Sequence, residues 1–229
     1  MKVVLAQEIL RANDQLAELN RQRFTESRVF VVNVLGSPGA GKTTLLEALA
    51  RVWQTRVRMG VIEGDLAGTV DAERIERLGL AVVQINTAGA CHLDASMIAT
   101  AADRLPLSDL DFLFIENVGN LVCPANFRLG EHLRLLLLSV PEGDDKPIKY
   151  PVIFRDLGAV IVSKIDLRPY LPFEVSKIHQ QLQVLCPAAR LFEVSALKGD
   201  GVEEVAKFLE CERAEFFAKT DRPHAQAVV

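Results

Sequence analysis

The chain has 229 residues, 49% of them hydrophobic and 24% charged, so one domain of ordinary globular composition is expected. Twenty-six basic against thirty acidic side chains leave a net charge of −4, which argues against a general affinity for nucleic acid or anionic membrane. The longest apolar candidate for a span, residues 133–140, is interrupted by Arg134 and Ser139, while Glu8 and Arg11 stand where a secretory signal needs its apolar stretch; a cytoplasmic location is expected.

Residues 1–28 read as one amphipathic helix. Leu5, Ile9, Ala12, Leu16 and Leu19 recur at spacings of 4, 3, 4 and 3. The stripe is expected either to pack on the body of the same chain or to dock a partner. From Val29 onward, short β-branched or leucine-rich runs at 29–35, 57–62, 81–85, 112–115, 133–140, 159–162 and 190–194 read as strands. Helical patterns fall between them at 43–51, 71–78, 93–104, 173–184 and 202–217. Such alternation implies right-handed crossovers and an α/β architecture, a mainly parallel sheet with helices on both faces. Residues 141–151 are polar and bounded by prolines, which predicts a surface loop; residues 29–217 read as one α/β domain and 218–229 as a frayed tail.

The strongest motif is G-x-x-x-x-G-K-[ST], complete from Gly36 to Thr43 between an apolar strand and a helix. Gly36, Ser37, Gly39, Ala40, Gly41, Lys42, Thr43 and Thr44 are the candidate phosphate-binding residues. Glycines let the backbone wrap a phosphate, and successive amides plus the helix N-terminus supply positive potential. Lys42 is expected to reach the β- and γ-phosphates, and the Thr43 hydroxyl to ligate Mg²⁺. That ion also needs carboxylates. Glu116 ends the strand 112–115 with Gly119 three residues on, giving E-x-x-G where most GTPases carry D-x-x-G. The extra methylene of Glu favours contact through a water. A second acidic cluster, Glu63-Gly64-Asp65, ends the strand 57–62, and Asp71 follows. Asp65 is the first choice for the carboxylate near Mg²⁺ or the attacking water and Asp71 the second, with a plain helix N-cap as the alternative for Asp71.

Ser163-Lys164-Ile165-Asp166 resembles the N-K-x-D guanine motif with Ser in its first position. A carboxylate there accepts from guanine N1–H and the N2 amino group, which adenine does not offer, so Asp166 carries base choice while the Lys164 stem covers the ring. Replacing Asn by Ser is expected to remove a contact near N7 and a brace on the phosphate loop. Ser195-Ala196-Leu197-Lys198 resembles S-A-x-K, whose backbone contacts guanine O6. The two motifs in this order after a phosphate loop point to GTP.

The four cysteines are too few and too scattered for a disulfide scaffold, so thiols are expected. Cys91 and His92 are adjacent just past the strand 81–85, and Cys123 lies seven residues after Glu116. Taken singly each suits a packing role. Together they place two thiols and an imidazole at the carboxyl ends of two strands, a donor set for Ni²⁺ or Zn²⁺ rather than a hard cation. Three ligands leave a vacancy for water or a second subunit. Cys186 and Cys211 read as packing residues.

The segments Gly36 to Thr43, Glu63-Gly64-Asp65-Leu66-Ala67, Ala90-Cys91-His92-Leu93, the stretch E-N-V-G-N-L-V-C-P ending at Pro124, and Ser163 to Asp166 together resemble the hydrogenase nickel-incorporation GTPases, of the dimerising SIMIBI type of P-loop protein. The resemblance implies a slow GTPase that helps insert nickel into [NiFe] hydrogenase. It implies GTP-linked homodimerisation, a metal at the interface on Cys91, His92 and Cys123, and a small zinc-containing maturation partner through which the hydrogenase large subunit is served. Residues 1–28 contain no Cys or His, so the N-terminal nickel motif and His-rich storage stretch of some members are absent here. A urease-type nickel GTPase would centre on Cys-Pro-His, which this chain lacks. A GTP-switched scaffold with structural cysteines is the reading from another class.

Overall fold

Seven short runs of β-branched, leucine and phenylalanine residues become seven strands of one sheet in the computed structural model, which describes residues 6–65 and 68–221. The strands are β1 (Phe30–Gly36), β2 (Met59–Asp65), β3 (Ala81–Asn86), β4 (Phe112–Glu116), β5 (Leu133–Ser139), β6 (Ala159–Ser163) and β7 (Arg190–Val194). The helices are α1 (Ala6–Glu26), α2 (Lys42–Trp53), α3 (Val70–Glu76), α4 (Ala95–Ala102), α5 (Lys146–Lys149), α6 (Val175–Leu185) and α7 (Val202–Thr220). The sheet order is β3-β2-β4-β1-β5-β6-β7 and every neighbouring pair is parallel. Because both faces of such a sheet are covered, its central strands are mainly apolar, broken by Asn33 in β1 and Arg134 in β5, and β1, β4, β5 and β6 are buried along their length.

Alternation along β1 divides the core. Phe30, Val32 and Val34 face α2 and α7, while Val31 faces the side covered by α1 and α4. On the first face, fully buried Trp53 stacks on Phe112 at 5.0 Å between ring centroids, and its indole N–H donates to Glu210 at 2.7 Å. Truncating such a ring costs about 3–5 kcal/mol. His132 plugs the start of β1: the Val31 amide donates to its Nδ1 at 2.8 Å, and the ring stacks on Phe30. Burial, with Arg21 nearby, pushes this imidazole down to about 3, so it stays neutral.

Helix α1 lies on the body by a face other than its apolar stripe. Ile9, Leu16 and Leu19 are 56%, 40% and 60% exposed, and Ala12 is exposed as well. The buried face is Asn13, Ala17, Asn20 and Phe24, also at helical spacing. Asn13 and Asn20 replace apolar contact with hydrogen bonds: their Nδ2 groups donate to the carbonyls of Arg128, Ala95 and Leu129, and the Ala95 amide donates to Asn13 Oδ1. Packing of the stripe on its own chain is therefore not what the fold does. Leu5, Leu66, Ala67 and the tail from residue 222 lie outside the described residues.

Three boundaries also depart from expectation. The helix expected from residue 93 begins at Ala95, because Asp94 caps it by accepting from the Met97 amide. The expected loop 141–151 contains a 3₁₀ turn, Val140–Glu142, and the single turn α5. The C-terminal helix continues to Thr220, past the expected start of a frayed tail, and Arg28 pairs with Asp221 just beyond it at 2.6 Å. Among the described residues, no helix is long and apolar enough to cross a membrane.

Candidate nucleotide and metal site

The turn between β1 and α2 carries the phosphate-loop motif to the carboxyl edge of the sheet, where open α/β sheets bind ligands. Gly41 caps α2 at φ 93°, a left-handed conformation that favours glycine. Lys42 is buried, its Nζ 3.5 Å from the Ser37 carbonyl. The Thr43 hydroxyl donates to Glu116 Oε1 at 2.8 Å. Gly119 lies against the same loop: a Cβ there would stand 2.7 Å from the Pro38 backbone nitrogen, so E-x-x-G ends in glycine because no side chain fits.

Beside this loop is a cavity of about 200 Å³ bounded by Lys42, Glu63, Asp65, Asp71 and Glu116. Glu63 and Glu116 are register partners on β2 and β4. Oε2 of each is buried without a hydrogen-bond partner. Burial pushes Glu116 up to about 7, against the pull of Lys42 and the Thr43 hydroxyl. Burial, then the neighbouring Glu116 and Asp65, pushes Glu63 up to about 8. Two orphaned carboxylate oxygens beside a buried lysine and a threonine hydroxyl form a hard oxygen donor set, and Mg²⁺ fits it. Asp65 ends β2, its Oδ2 accepting from the Gly68 amide at 3.0 Å. Asp71 is bound at 2.9 Å to Arg74, which also pairs with Glu47. Both aspartates thus border the cavity. Glu63 belongs to the acidic cluster read from the sequence, but the candidate residues taken from it are Asp65 and then Asp71. Its signal is a charged residue within an apolar strand, two positions from Asp65 and therefore on the same face.

A second cavity, of about 290 Å³, opens at the ends of β6 and β7 and is bordered by Gly41, Thr44, Ser163, Lys164, Asp166, Ser195, Ala196 and Leu197. Ser195 Oγ donates to Asp166 Oδ1 at 2.7 Å and holds that carboxyl below the usual range. Ser163 corrects one expectation. Its hydroxyl donates to the Ala40 carbonyl at 2.6 Å, so a brace on the phosphate loop is kept despite the change from Asn.

Cys91, His92 and Cys123 come together. One ligand atom from each lies within 4.8 Å of the others, the one such group among the described residues. Cys91 Sγ is 2.8 Å from Cys123 Sγ and 3.7 Å from His92 Nδ1. The His92 ring packs on Phe127 at 3.9 Å between centroids, and burial pushes its pKa down, favouring the neutral, liganding imidazole. The hydrogen bond to Cys123 pushes the Cys91 thiol up. Asn120, between Glu116 and Cys123, donates to the Cys91 carbonyl at 3.3 Å. Cys186 is buried as expected, but Cys211 is exposed on α7 and does not pack; its neighbours Phe208 and Leu209 turn to the core instead.

The family model described as "CobW/HypB/UreG, nucleotide-binding domain" matches residues 30–193. Hydrogenase maturation factor HypB of Escherichia coli K12 is 47% identical over 207 residues, 90% of this chain and 71% of that protein. Hydrogenase/urease maturation factor HypB of Helicobacter pylori 26695 is 42% identical over 222 residues, 95% of this chain and 91% of that protein. The crystal structure of H. pylori HypB in complex with nickel superposes with a TM-score of 0.86 at 42% identity, covering 90% of this chain and 97% of that one.

Proposed function

This chain belongs to the CobW/HypB/UreG nucleotide-binding family, and from that premise we propose that it is a GTP-hydrolysing metallochaperone that helps insert nickel into [NiFe] hydrogenase. The observation that carries the proposal is the meeting of Cys91, His92 and Cys123 beside the segment that begins at Glu116. Asp166 reads guanine N1–H and N2, with Lys164 over the ring and the backbone at Ser195, Ala196 and Leu197 toward O6. The amides of the phosphate loop cradle the phosphates, and Lys42 meets the growing negative charge on the γ-phosphoryl group. Thr43, Glu116 and Asp65 would hold Mg²⁺, which supplies charge neutralisation at the β- and γ-phosphates. Asp65, with Asp71 as second candidate, orients the attacking water. Arg74, whose partner Asp71 borders the phosphate cavity, is held by Asp71 and Glu47, which supports slow turnover, below ~10 s⁻¹.

Nickel is the cargo. Two thiolates and a neutral imidazole bind Ni²⁺ and would also bind Zn²⁺. The shell is completed by water or by a second copy of the chain in a GTP-linked homodimer. The exposed stripe of α1 offers a surface to a small zinc-containing maturation protein in the cytoplasm, which passes the ion toward the hydrogenase large subunit. The H. pylori relative is named for both hydrogenase and urease, so urease is the second recipient to test. A scaffold with structural cysteines would bind no metal. The experiment pairs hydrolysis of GTP and ATP by the parent and Lys42→Ala with nickel titration of the parent and Cys123→Ser. Selective GTP hydrolysis lost in Lys42→Ala, and nickel binding lost in Cys123→Ser, are expected. Equal use of ATP, or undiminished nickel binding by Cys123→Ser, would refute the proposal.

A further inference from the structure

One buried polar chain runs between the sequence neighbours of His92, Glu116 and Cys123. The Leu93 amide, directly after His92, donates to Asn117 Oδ1 at 3.3 Å, and Asn117 directly follows Glu116. Asn117 Nδ2 donates to Asn33 Oδ1 at 3.3 Å, and Asn33 Nδ2 donates to Glu131 Oε1 at 3.2 Å. That same Glu131 oxygen lies 3.5 Å from Arg134 Nε, an ion pair without a hydrogen bond, since Nε has no hydrogen-bond partner. Arg134 Nη2 donates to the Pro124 carbonyl at 3.1 Å, directly after Cys123. Asn33, inside β1, and Asn117, directly after the end of β4, are 0% and 1% exposed. Burying polar side chains is costly unless they are paired, and here both asparagines are hydrogen-bonded while Arg134 is held by its ion pair to Glu131 and by its bonds to backbone carbonyls.

We propose that this chain positions the metal ligands and couples them to the nucleotide, with Asn117 as the joint and Arg134 as the far anchor. Asn117 accepts from two amides at once, those of Val118 and Leu93. A change in the path of the backbone after Glu116 therefore cannot leave the His92 loop in place without breaking a buried hydrogen bond. Asn33, on β1 three residues before the phosphate loop, is the rigid post on which the joint rests. At the other end, the planar guanidinium of Arg134 pins the Pro124 and Ala125 carbonyls, fixing where the thiol of Cys123 is presented. Arg134 lies away from the phosphate cavity; Asn117 borders it, but its side-chain bonds run to the Leu93 and Val118 amides and to Asn33. They are positioning residues, and their role rests on the proposed nickel site.

The test measures nickel affinity in the GDP state and with a non-hydrolysable GTP analogue, for the full chain and for Asn117→Ala, Arg134→Lys and Cys123→Ser. The thiolate-to-nickel absorption band serves as a second readout. Arg134→Lys keeps the charge opposite Glu131 and loses the fork, so it probes the anchor, with urea unfolding checking that the variant is folded. For the parent, an affinity ratio between the two states of at least about fivefold is expected. In both positioning variants the ratio falls to within about twofold of one and the absorption band shifts or broadens, while nickel still binds. A ratio and band unchanged in Arg134→Lys and in folded Asn117→Ala would overturn the coupling role. Undiminished nickel binding by Cys123→Ser would instead overturn the nickel site itself.

Discussion

Glu63 gives the sharpest quantitative test, because its substitution by glutamine should stabilise the empty protein while weakening its ligand site. In the native chain the carboxyl is 3% exposed and has an unpartnered oxygen, and burial first, then the facing Glu116, raises it to about 8 from 4.5. The unfolded chain loses this proton as pH rises through about 4.5, whereas the native chain keeps it until about 8. Native stability must therefore fall across that window. Each unit of the difference is worth about 1.4 kcal/mol, so this group alone costs up to roughly 3 kcal/mol by neutral pH. Glutamine has nearly the same shape and no proton to keep. Its buried amide returns about 1–2 kcal/mol of desolvation cost. Glu63→Gln should then be more stable than the parent by about 1–2 kcal/mol near pH 7, and no more stable near pH 5. Urea unfolding in the presence of a chelator, without nucleotide, measures both values from the midpoint shift at constant slope. In the same variant the Mg²⁺ concentration needed for GTP binding should rise. A stability difference independent of pH, or of opposite trend, would refute the reasoning.

Asp166→Asn should lose about a hundredfold in GTP affinity, two charge-assisted hydrogen bonds at roughly 1.5 kcal/mol each. It should gain affinity for xanthosine triphosphate, which competition binding reads directly. His132, held down at about 3, makes the acid limb: below about pH 6.5 the unfolded chain takes up a proton that the native chain refuses, so stability falls as pH drops. His132→Asn, which keeps an acceptor for the Val31 amide, should flatten that loss of about 1.4 kcal/mol per unit in urea titrations. Nickel affinity should fall with pH, since thiolate and neutral imidazole are the liganding forms. Cys186→Ser and Cys211→Ser should leave it unchanged by titration calorimetry; equal loss in either would move the site elsewhere.

The architecture was legible because strands buried on both faces are written as mainly apolar runs, and each motif falls where such a run ends. Phe112–Glu116 and Ala159–Ser163 illustrate this: both are fully buried and both deliver a polar motif at their last residue. The gathering of Cys91, His92 and Cys123 was legible for the same reason, since β3 and β4 end on one edge of the sheet. Helix α1 was misleading because its packing face is built from Asn13 and Asn20, polar side chains that pair with backbone carbonyls and leave no apolar periodicity. Glu63 and the chain through Asn33, Asn117 and Glu131 depend on which strands are neighbours. Strand order is set by tertiary packing, and spacing along the chain does not encode it.

The central claim is that nucleotide and metal are linked through the segment from Glu116 to Cys123. Linkage demands reciprocity: if GTP closes the metal site, metal must tighten GTP binding by the same factor. The direct measurement is nickel affinity at fixed protein concentration, with GDP and with a non-hydrolysable GTP analogue, alongside sedimentation of the same samples. The account predicts nickel bound at least about fivefold more tightly with the analogue, together with a dimer. Equal affinities and the same sedimentation in both states would contradict it.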